Sequence, residues 1–230
     1  TAIELGSPGV DLNFGCPAKT VNKSKGGAVL LKETQTLYDI VKAVRDAVPA
    51  EIPVSAKIRL GFEDKSLAIE NAIAITEAGA SELVVHARTK TEGYKPPAYW
   101  DWIAKIKQHT DIPLVANGEI WNAEDAQRCQ SQSECTNLMI GRGALAMPNL
   151  AMSIKEGVAP MPWSELAALL IQYSGYEIFG DKGKYYPNRI KQWCGYLKRQ
   201  YPEAEVLFND IRRLTKSQDI VDVLARQADI

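Results

Sequence analysis

Side chains able to carry acid–base chemistry follow short apolar runs of this sequence, at the point where each run ends. Cys16 stands shortly after the first run, Lys57 and Arg59 lie in the second, and His86 and Arg88 end the third. A thiol with an ordinary pKa of about 8.5 is mostly protonated at neutral pH and can act as an acid. Burying a lysine among apolar strand residues costs free energy unless its charge is paired or serves a function.

The fourth and fifth apolar runs end in turns that contain glycine. These are Asn117-Gly118-Glu119 and Gly141-Arg142-Gly143. The second turn precedes a short helical segment, and backbone N–H groups there, helped by an arginine, can bind a phosphate. Taken singly, each set has a simpler interpretation. Cys16 could be a small buried residue, His86 could be a histidine of the core, and the glycine turns could serve only to reverse the chain. Because all five polar sets stand at the same place, at the end of an apolar run, they instead indicate one functional site.

The apolar runs are the elements that must position these groups. Runs rich in β-branched residues at 10–12, 54–58, 83–85, 112–115 and 138–140 predict five strands, and helical spacing over 36–48 and 67–78 predicts helices between them. Such alternation predicts an α/β fold with a parallel sheet. We interpret it as part of a TIM (β/α)8 barrel. Because five units cannot close a barrel, we expect its N-terminal strands, roughly 80 residues in three units of typical length, to precede Thr1.

The pattern changes after Pro148. Prolines at 160 and 162 suggest a linker, and helical spacing over 163–179, 188–201, 203–214 and 217–226 predicts four helices. We therefore predict two domains: the C-terminal part of a catalytic barrel at 1–150, and an all-helical bundle at 161–230.

Charge is unevenly distributed although the net charge is only −1. The window 182–201 contains six lysines and arginines and no acidic residue, and it also holds five tyrosines and tryptophans. We interpret each aromatic residue as part of a helical core, and the basic set as a surface for nucleic acid. The basic residues are Lys182, Lys184, Arg189, Lys191, Lys198 and Arg199.

Composition excludes several classes of protein. Apolar residues make up 46% and charged residues 24% of the chain, as in an ordinary globular protein, which excludes intrinsic disorder. No apolar stretch is long enough for a membrane span. The four cysteines form no CxxC pair, so we expect no disulfide framework and no metal site, and a cytoplasmic protein.

Together these segments resemble the tRNA-dihydrouridine synthase family. The resemblance rests on Asp11-Leu12-Asn13-Phe14-Gly15-Cys16-Pro17, Lys57-Ile58-Arg59-Leu60-Gly61, Val85-His86-Ala87-Arg88-Thr89, Ala116-Asn117-Gly118-Glu119-Ile120 and Met139-Ile140-Gly141-Arg142-Gly143. The helical tail, with Asn188-Arg189-Ile190-Lys191-Gln192-Trp193, resembles the bacterial C subgroup, which acts on uridine 16 of the tRNA D-loop.

This resemblance implies a flavin oxidoreductase. NADPH would reduce FMN, which would give hydride to C6 of a uracil in tRNA while Cys16 gives the proton to C5. The resemblance implies FMN contacts for Lys57, His86, Asn117, Gly118, Glu119, Gly141 and Arg142. We expect uracil or tRNA contacts from Asn13, Arg59, Arg88, Tyr94, Arg189, Lys191, Gln192, Lys198 and Arg199. We expect the protein to act as a monomer.

Three alternatives stay open at this point. One is an FMN barrel acting on a free pyrimidine, as dihydroorotate dehydrogenases do, although such a substrate needs no basic tail. Another is a lyase that uses Lys57 as a Schiff base without flavin. The third is an RNA-binding protein without catalysis, against which the presence of both Cys16 and Lys57 argues.

Overall fold

The computed structural model describes residues 1–179 and 183–228, which form two compact units. The first contains residues 1–120 and 124–140, and the second contains residues 121–123 and 141 onward. The second unit thus begins at Gly141, ahead of the change in sequence pattern after Pro148. The catalytic and RNA-binding roles expected for 1–150 and 161–230 stay predictions.

The first unit is built on a five-stranded parallel sheet, which confirms the five strands predicted from the apolar runs. The strands pair in chain order, from the first to the fifth. A doubly wound sheet reverses its strand order at a switch point, whereas a (β/α)8 barrel does not. The order observed is therefore that of consecutive barrel units. The strands are β1 (Val10–Asn13), β2 (Val54–Arg59), β3 (Glu82–His86), β4 (Leu114–Asn117) and β5 (Asn137–Met139).

Helices connect the strands because the sequence between them is amphipathic. The second of these helices buries Leu37 and Val41 completely, and the third buries Ala72 and Ile75. Within β2, Ala56 and Ile58 are fully buried as well. The helices are α1 (Lys19–Lys23), α2 (Thr34–Ala47), α3 (Ala68–Glu77), α4 (Asp101–Lys107) and α5 (Ala123–Ser133), with a 3-10 helix at Gly27–Lys32.

The second unit is helical over its described residues, and the four helices predicted from the tail are present. They are preceded by two short helices and pack around an apolar cluster that includes Leu170, Ile190, Leu207 and Leu224. The helices are α6 (Arg142–Ala146), α7 (Leu150–Glu156), α8 (Trp163–Phe179), α9 (Tyr186–Leu197), α10 (Glu203–Ile211) and α11 (Ser217–Ala228), with a 3-10 turn at Gly183–Tyr185.

The start of α9 is fixed to α8 inside this cluster. Tyr186 is fully buried, and its hydroxyl forms a hydrogen bond with that of Ser174, which in turn donates to the Leu170 carbonyl. Burial raises the pKa of Tyr186 to about 12. Pro187 follows in the first helical turn, where its missing N–H costs nothing.

Candidate active site

The strand register aligns the predicted site residues at one edge of the sheet. Asn13 of β1 pairs with Lys57 of β2, and two residues further along β2 Arg59 pairs with His86 of β3, which pairs with Asn117 of β4. These residues come from four strands and lie within two residues of their carboxyl ends. The sheet thus brings side chains from four of the predicted polar sets to one edge, and their roles stay predictions.

Lys57 reaches across β3 toward Asn117. Its Nζ lies 3.3 Å from Asn117 Oδ1, while Asn117 Nδ2 donates to the Met139 carbonyl at 2.7 Å. Burial, assisted by the positive charge of Arg59 and opposed by Asp11, lowers the pKa of Lys57 to about 8. Because that value is above 7, the amine is still mostly protonated at neutral pH, and it is available to an anionic or electron-rich partner.

The loop that carries Cys16 is tied to the end of β2. The Gly15 N–H donates to Asn13 Oδ1 at 3.0 Å, and Arg59 Nε donates to the Gly15 carbonyl at 2.9 Å. Phe14, which lies between Asn13 and Gly15 in the chain, is buried and donates its N–H to the Lys57 carbonyl at 2.8 Å. Cys16 itself is a free cysteine that is partly exposed. Cys16 is therefore a partly exposed residue in a loop held at the same sheet edge as Lys57.

Arg59 connects this loop to the loop after β3. Its Nη1 donates to the carbonyls of Thr89 (3.2 Å) and Gly93 (3.0 Å), and its guanidinium carbon lies 5.1 Å from the centroid of the Tyr94 ring. The Tyr94 ring is half exposed and meets His86 edge-on, with the centroids 6.0 Å apart. Burial lowers the pKa of Arg59, and interaction with Tyr94 opposes that shift. Arg59 is only 2% exposed, so its present contacts are internal.

The turn after β4 is held by a buried ion pair. Arg88 is fully buried, pairs with Glu119, and donates from Nε to the Pro97 carbonyl at 3.0 Å. Gly118 has a φ of +119° and Glu119 a φ of +58°, so the turn needs glycine at the first of these positions. Trp100 Nε1 donates to the Gly118 carbonyl at 2.9 Å. The sequence identified Arg88 and Glu119 separately, but no local pattern indicated that they pair.

Gly141 and Arg142 belong to the second unit, at the start of α6. A Cβ placed on Gly141 would meet nothing within 4 Å, so there is open space beside its backbone. Two guanidinium groups approach the Trp121 ring, with the Arg142 carbon at 5.1 Å and the Arg199 carbon at 3.9 Å from its centroid. Trp121 was not a predicted site residue, and its only signal was an aromatic residue directly after the Asn117–Ile120 segment.

The basic residues of α9 have partners within the second unit. Gln192 is exposed on the same helix. Lys182 lies outside the described residues. The contacts are an ion pair of Arg189 with Glu177, a hydrogen bond from Lys191 Nζ to the Leu214 carbonyl at 2.6 Å, and an ion pair of Lys198 with Glu205 at 3.1 Å.

Most aromatic residues of α9 and of the turn that follows it serve the helical core. Tyr186, in α9, and Tyr201, after it, are buried. Trp193 packs edge-on against Tyr173, with centroids 5.0 Å apart, and donates from Nε1 to the Leu145 carbonyl at 2.9 Å. Tyr186, Trp193 and Tyr201 therefore pack as the sequence predicted, whereas Tyr185 is 48% exposed, so the prediction of a core position is wrong for that residue.

The described part of the chain contains no cluster of three or more histidine, cysteine, aspartate or glutamate side chains suited to a metal ion. Within the same residues, every helix is too short or too polar to span a membrane.

A parallel sheet in consecutive barrel order, with its polar site at the carboxyl edge, defines an α/β protein of the barrel-enzyme class. The chain belongs to the dihydrouridine synthase (Dus) family, whose sequence model matches residues 1–228. The resemblance seen in the motifs is thus confirmed.

Curated relatives are similar over almost the whole chain. The tRNA-dihydrouridine(16) synthase of Shewanella oneidensis is 58% identical over 223 residues, which are 97% of this chain and 71% of that protein. The proteins of the same name from Vibrio parahaemolyticus and Escherichia coli are 55% and 51% identical, and cover 99% and 95% of this chain and 71% and 70% of their own lengths.

The lowered pKa of Lys57 gives a direct test of the site's electrostatics. We expect Lys57 to titrate near pH 8, because its surroundings disfavour the charged form. Reductive ¹³C-methylation followed by an NMR pH titration measures this value, and Lys57→Met assigns the signal. A Lys57 signal that titrates with the bulk of the lysines would contradict the account.

Proposed function

We propose that this protein reduces the C5=C6 bond of uridine 16 in the D-loop of tRNA to dihydrouridine, using bound FMN and NADPH as reductant. The observation that carries the proposal is the placement of a partly exposed cysteine, Cys16, and a protonated amine, Lys57, at one sheet edge in a Dus-family chain. It acts as a monomer in the cytoplasm, where its substrate is found.

Residues of the first unit fit the ring system of a flavin mononucleotide. Lys57 offers a cation beside Asn117, suited to the part of a flavin that becomes electron-rich on reduction. In the first unit, His86, Gly118 and Glu119 would contact the cofactor beside these two. In the second unit, the open space at Gly141 and the charge of Arg142 suit a phosphate. When bound and reduced, FMN supplies the hydride for C6 of the uracil.

Cys16 supplies the proton. Reduction of the double bond adds a hydride to C6 and a proton to C5, so a group must hold a proton at the C5 side of the ring. A thiol does this at neutral pH because it is protonated there and yet ionises more easily than a serine hydroxyl. The two electrons come from NADPH, and the thiolate left on Cys16 regains its proton from solvent.

The uracil must leave the D-loop to reach these groups, which costs a few kcal/mol in lost stacking. Asn13 is exposed beside Cys16 and offers an amide that can both donate to and accept from the uracil edge. The half-exposed Tyr94 offers a ring on the neighbouring loop. Arg59 and Arg88 would support the uracil site indirectly. Arg59 holds the loops after β1 and β3, and Arg88 holds the turn after β4.

Contacts to tRNA phosphates offset the cost of extruding the base. Arg189, Lys191, Lys198 and Arg199 lie on or directly after α9, and the exposed Gln192 adds a neutral donor. Their internal partners hold their side chains in place, so less conformational entropy is lost on binding RNA than with fully mobile lysines.

Replacing Cys16 by alanine separates the two half-reactions. We expect NADPH to reduce the flavin of Cys16→Ala at the wild-type rate, while reoxidation by tRNA slows by about 10²–10⁴-fold because the acid is gone. Stopped-flow measurement of flavin absorbance follows both steps, and Cys16→Ser serves as a control of similar size. Equal loss in both steps would be inconsistent with a proton-donor role.

Removing basic residues from α9 tests the RNA surface. For Arg189→Ala combined with Lys191→Ala, we expect weaker tRNA binding and a salt dependence of log Kd that is lower by about one unit for each phosphate that the variant no longer neutralises. Binding is measured by filter retention at several salt concentrations. Lys42→Ala with Lys105→Ala is the matched control, because both lysines are exposed and each leaves an aspartate partner behind. Identical slopes for the two double variants would argue against the α9 surface.

A further inference from the structure

The main-chain carbonyl of Cys16 is held from two sides by residues that follow it in the chain. Asn22, in helix α1, donates from Nδ2 to this carbonyl at 2.9 Å, and the Ala28 N–H donates to it at 3.0 Å. The same Asn22 amide donates to the Ala18 carbonyl at 2.8 Å. One side chain thus ties together the segment that carries the thiol and the helix that follows it.

Gly27 brings the next segment directly against the same carbonyl. Its φ of +65° is in the left-handed region that favours glycine. A Cβ added at Gly27 would lie 2.7 Å from the Cys16 carbonyl oxygen and 3.0 Å from the Cys16 Cβ, and the first of these distances is shorter than Cβ atoms show in real structures. Any other residue would have to push the Cys16 segment away.

Asn22 is not explained by the stability of α1. The helix has only five residues, too few to be stable alone, and asparagine is a poor residue for a helix interior. Its Oδ1 is buried and has no hydrogen-bond partner among the described residues, which costs free energy. An apolar residue would avoid this cost, so what distinguishes asparagine here is the bond from its nitrogen to the Cys16 carbonyl.

We propose that Asn22 and Gly27 are positioning residues that clamp the main chain of Cys16 and thereby aim its thiol. This inference rests on the proposed function, in which Cys16 delivers a proton to C5 of the uracil. Proton transfer needs the donor within hydrogen-bond reach of its target, and a displacement of about 1 Å can cost about 10²-fold in rate. Asn13 and Arg59 fix Gly15 on the other side, so the clamp completes the support of the loop.

The test compares Asn22→Ala with Ser24→Ala. Both remove side-chain hydrogen bonding to carbonyls in or near α1, but Ser24 donates to Thr20, at 3.1 Å, and does not touch Cys16. For Asn22→Ala we expect about 10–100-fold slower flavin reoxidation by tRNA, an unchanged rate of flavin reduction by NADPH, and an unchanged Kd for tRNA. Ser24→Ala should match the wild type in all three.

A second measurement reports on the clamp without any cofactor. In the flavin-free protein, the Ala28 amide should exchange hydrogen faster in Asn22→Ala than in the wild type, because its acceptor carbonyl no longer has its other tether. Ser24→Ala should leave this rate unchanged. A Tm close to that of the wild type would separate the effect from general destabilisation.

Glycine substitutions provide an independent pair of variants. Gly27→Ala should slow reoxidation by tRNA, whereas Gly26→Ala should not, because a Cβ at Gly26 would come no closer than 3.4 Å to a flexible valine side chain. Should Gly27→Ala fail to fold, the comparison of Asn22→Ala with Ser24→Ala decides alone.

The outcomes are distinct. Slower reoxidation by tRNA together with faster exchange at Ala28 supports the clamp. Reoxidation at the wild-type rate, equal loss in both half-reactions, or unchanged exchange at Ala28 would overturn it. If the wild type itself forms no dihydrouridine in tRNA, the proposed function fails, and this result is distinguishable from failure of the clamp alone.

Discussion

Parallel strand pairing is the constraint on which the first unit depends. Neighbouring parallel strands in register end at one edge, so residues separated by more than a hundred positions in the chain become neighbours there. Asn13, Lys57, His86 and Asn117 reach the same edge for this reason alone. Because β1 to β5 pair in chain order, each connecting loop lies beside the next, and the loop after β1 can be joined to the loop after β3 by a single side chain of β2.

Buried cations convert this edge into a rigid site. Arg59 and Arg88 are expensive to bury, and each is compensated by backbone carbonyls, with a carboxylate in addition at Arg88. These bonds fix loop backbones rather than substrate, which keeps the loops in place before any ligand arrives. Lys57 differs, since burial lowers its pKa and its hydrogen-bond partner, Asn117, is a neutral amide. Groups that support the site and groups left to interact with a ligand are thus distinguishable by their partners.

The sequence predicted the elements well and the contacts between side chains poorly. Strands were evident because each is an apolar run that ends in a polar set, and α8 was predicted with its observed bounds because Trp163–Phe179 is a long, mostly apolar segment with helical spacing. The pair of Arg88 with Glu119 and the bond from Asn22 to Cys16 depend on loop paths that no periodicity encodes. Likewise, the second unit begins at Gly141 because α6 packs on α9, including the bond from Trp193 to Leu145, and local composition carries no sign of this.

The central claim, that this protein makes dihydrouridine at position 16 of tRNA, is tested most directly in the cell that produces it. Nucleotide-resolution mapping of dihydrouridine should compare tRNA from the parent strain, a strain lacking the gene, and that strain with the gene restored. The account predicts unmodified uridine at position 16 without the gene and dihydrouridine on its return, with other dihydrouridine positions unchanged. Dihydrouridine persisting at position 16 in the strain without the gene would contradict it.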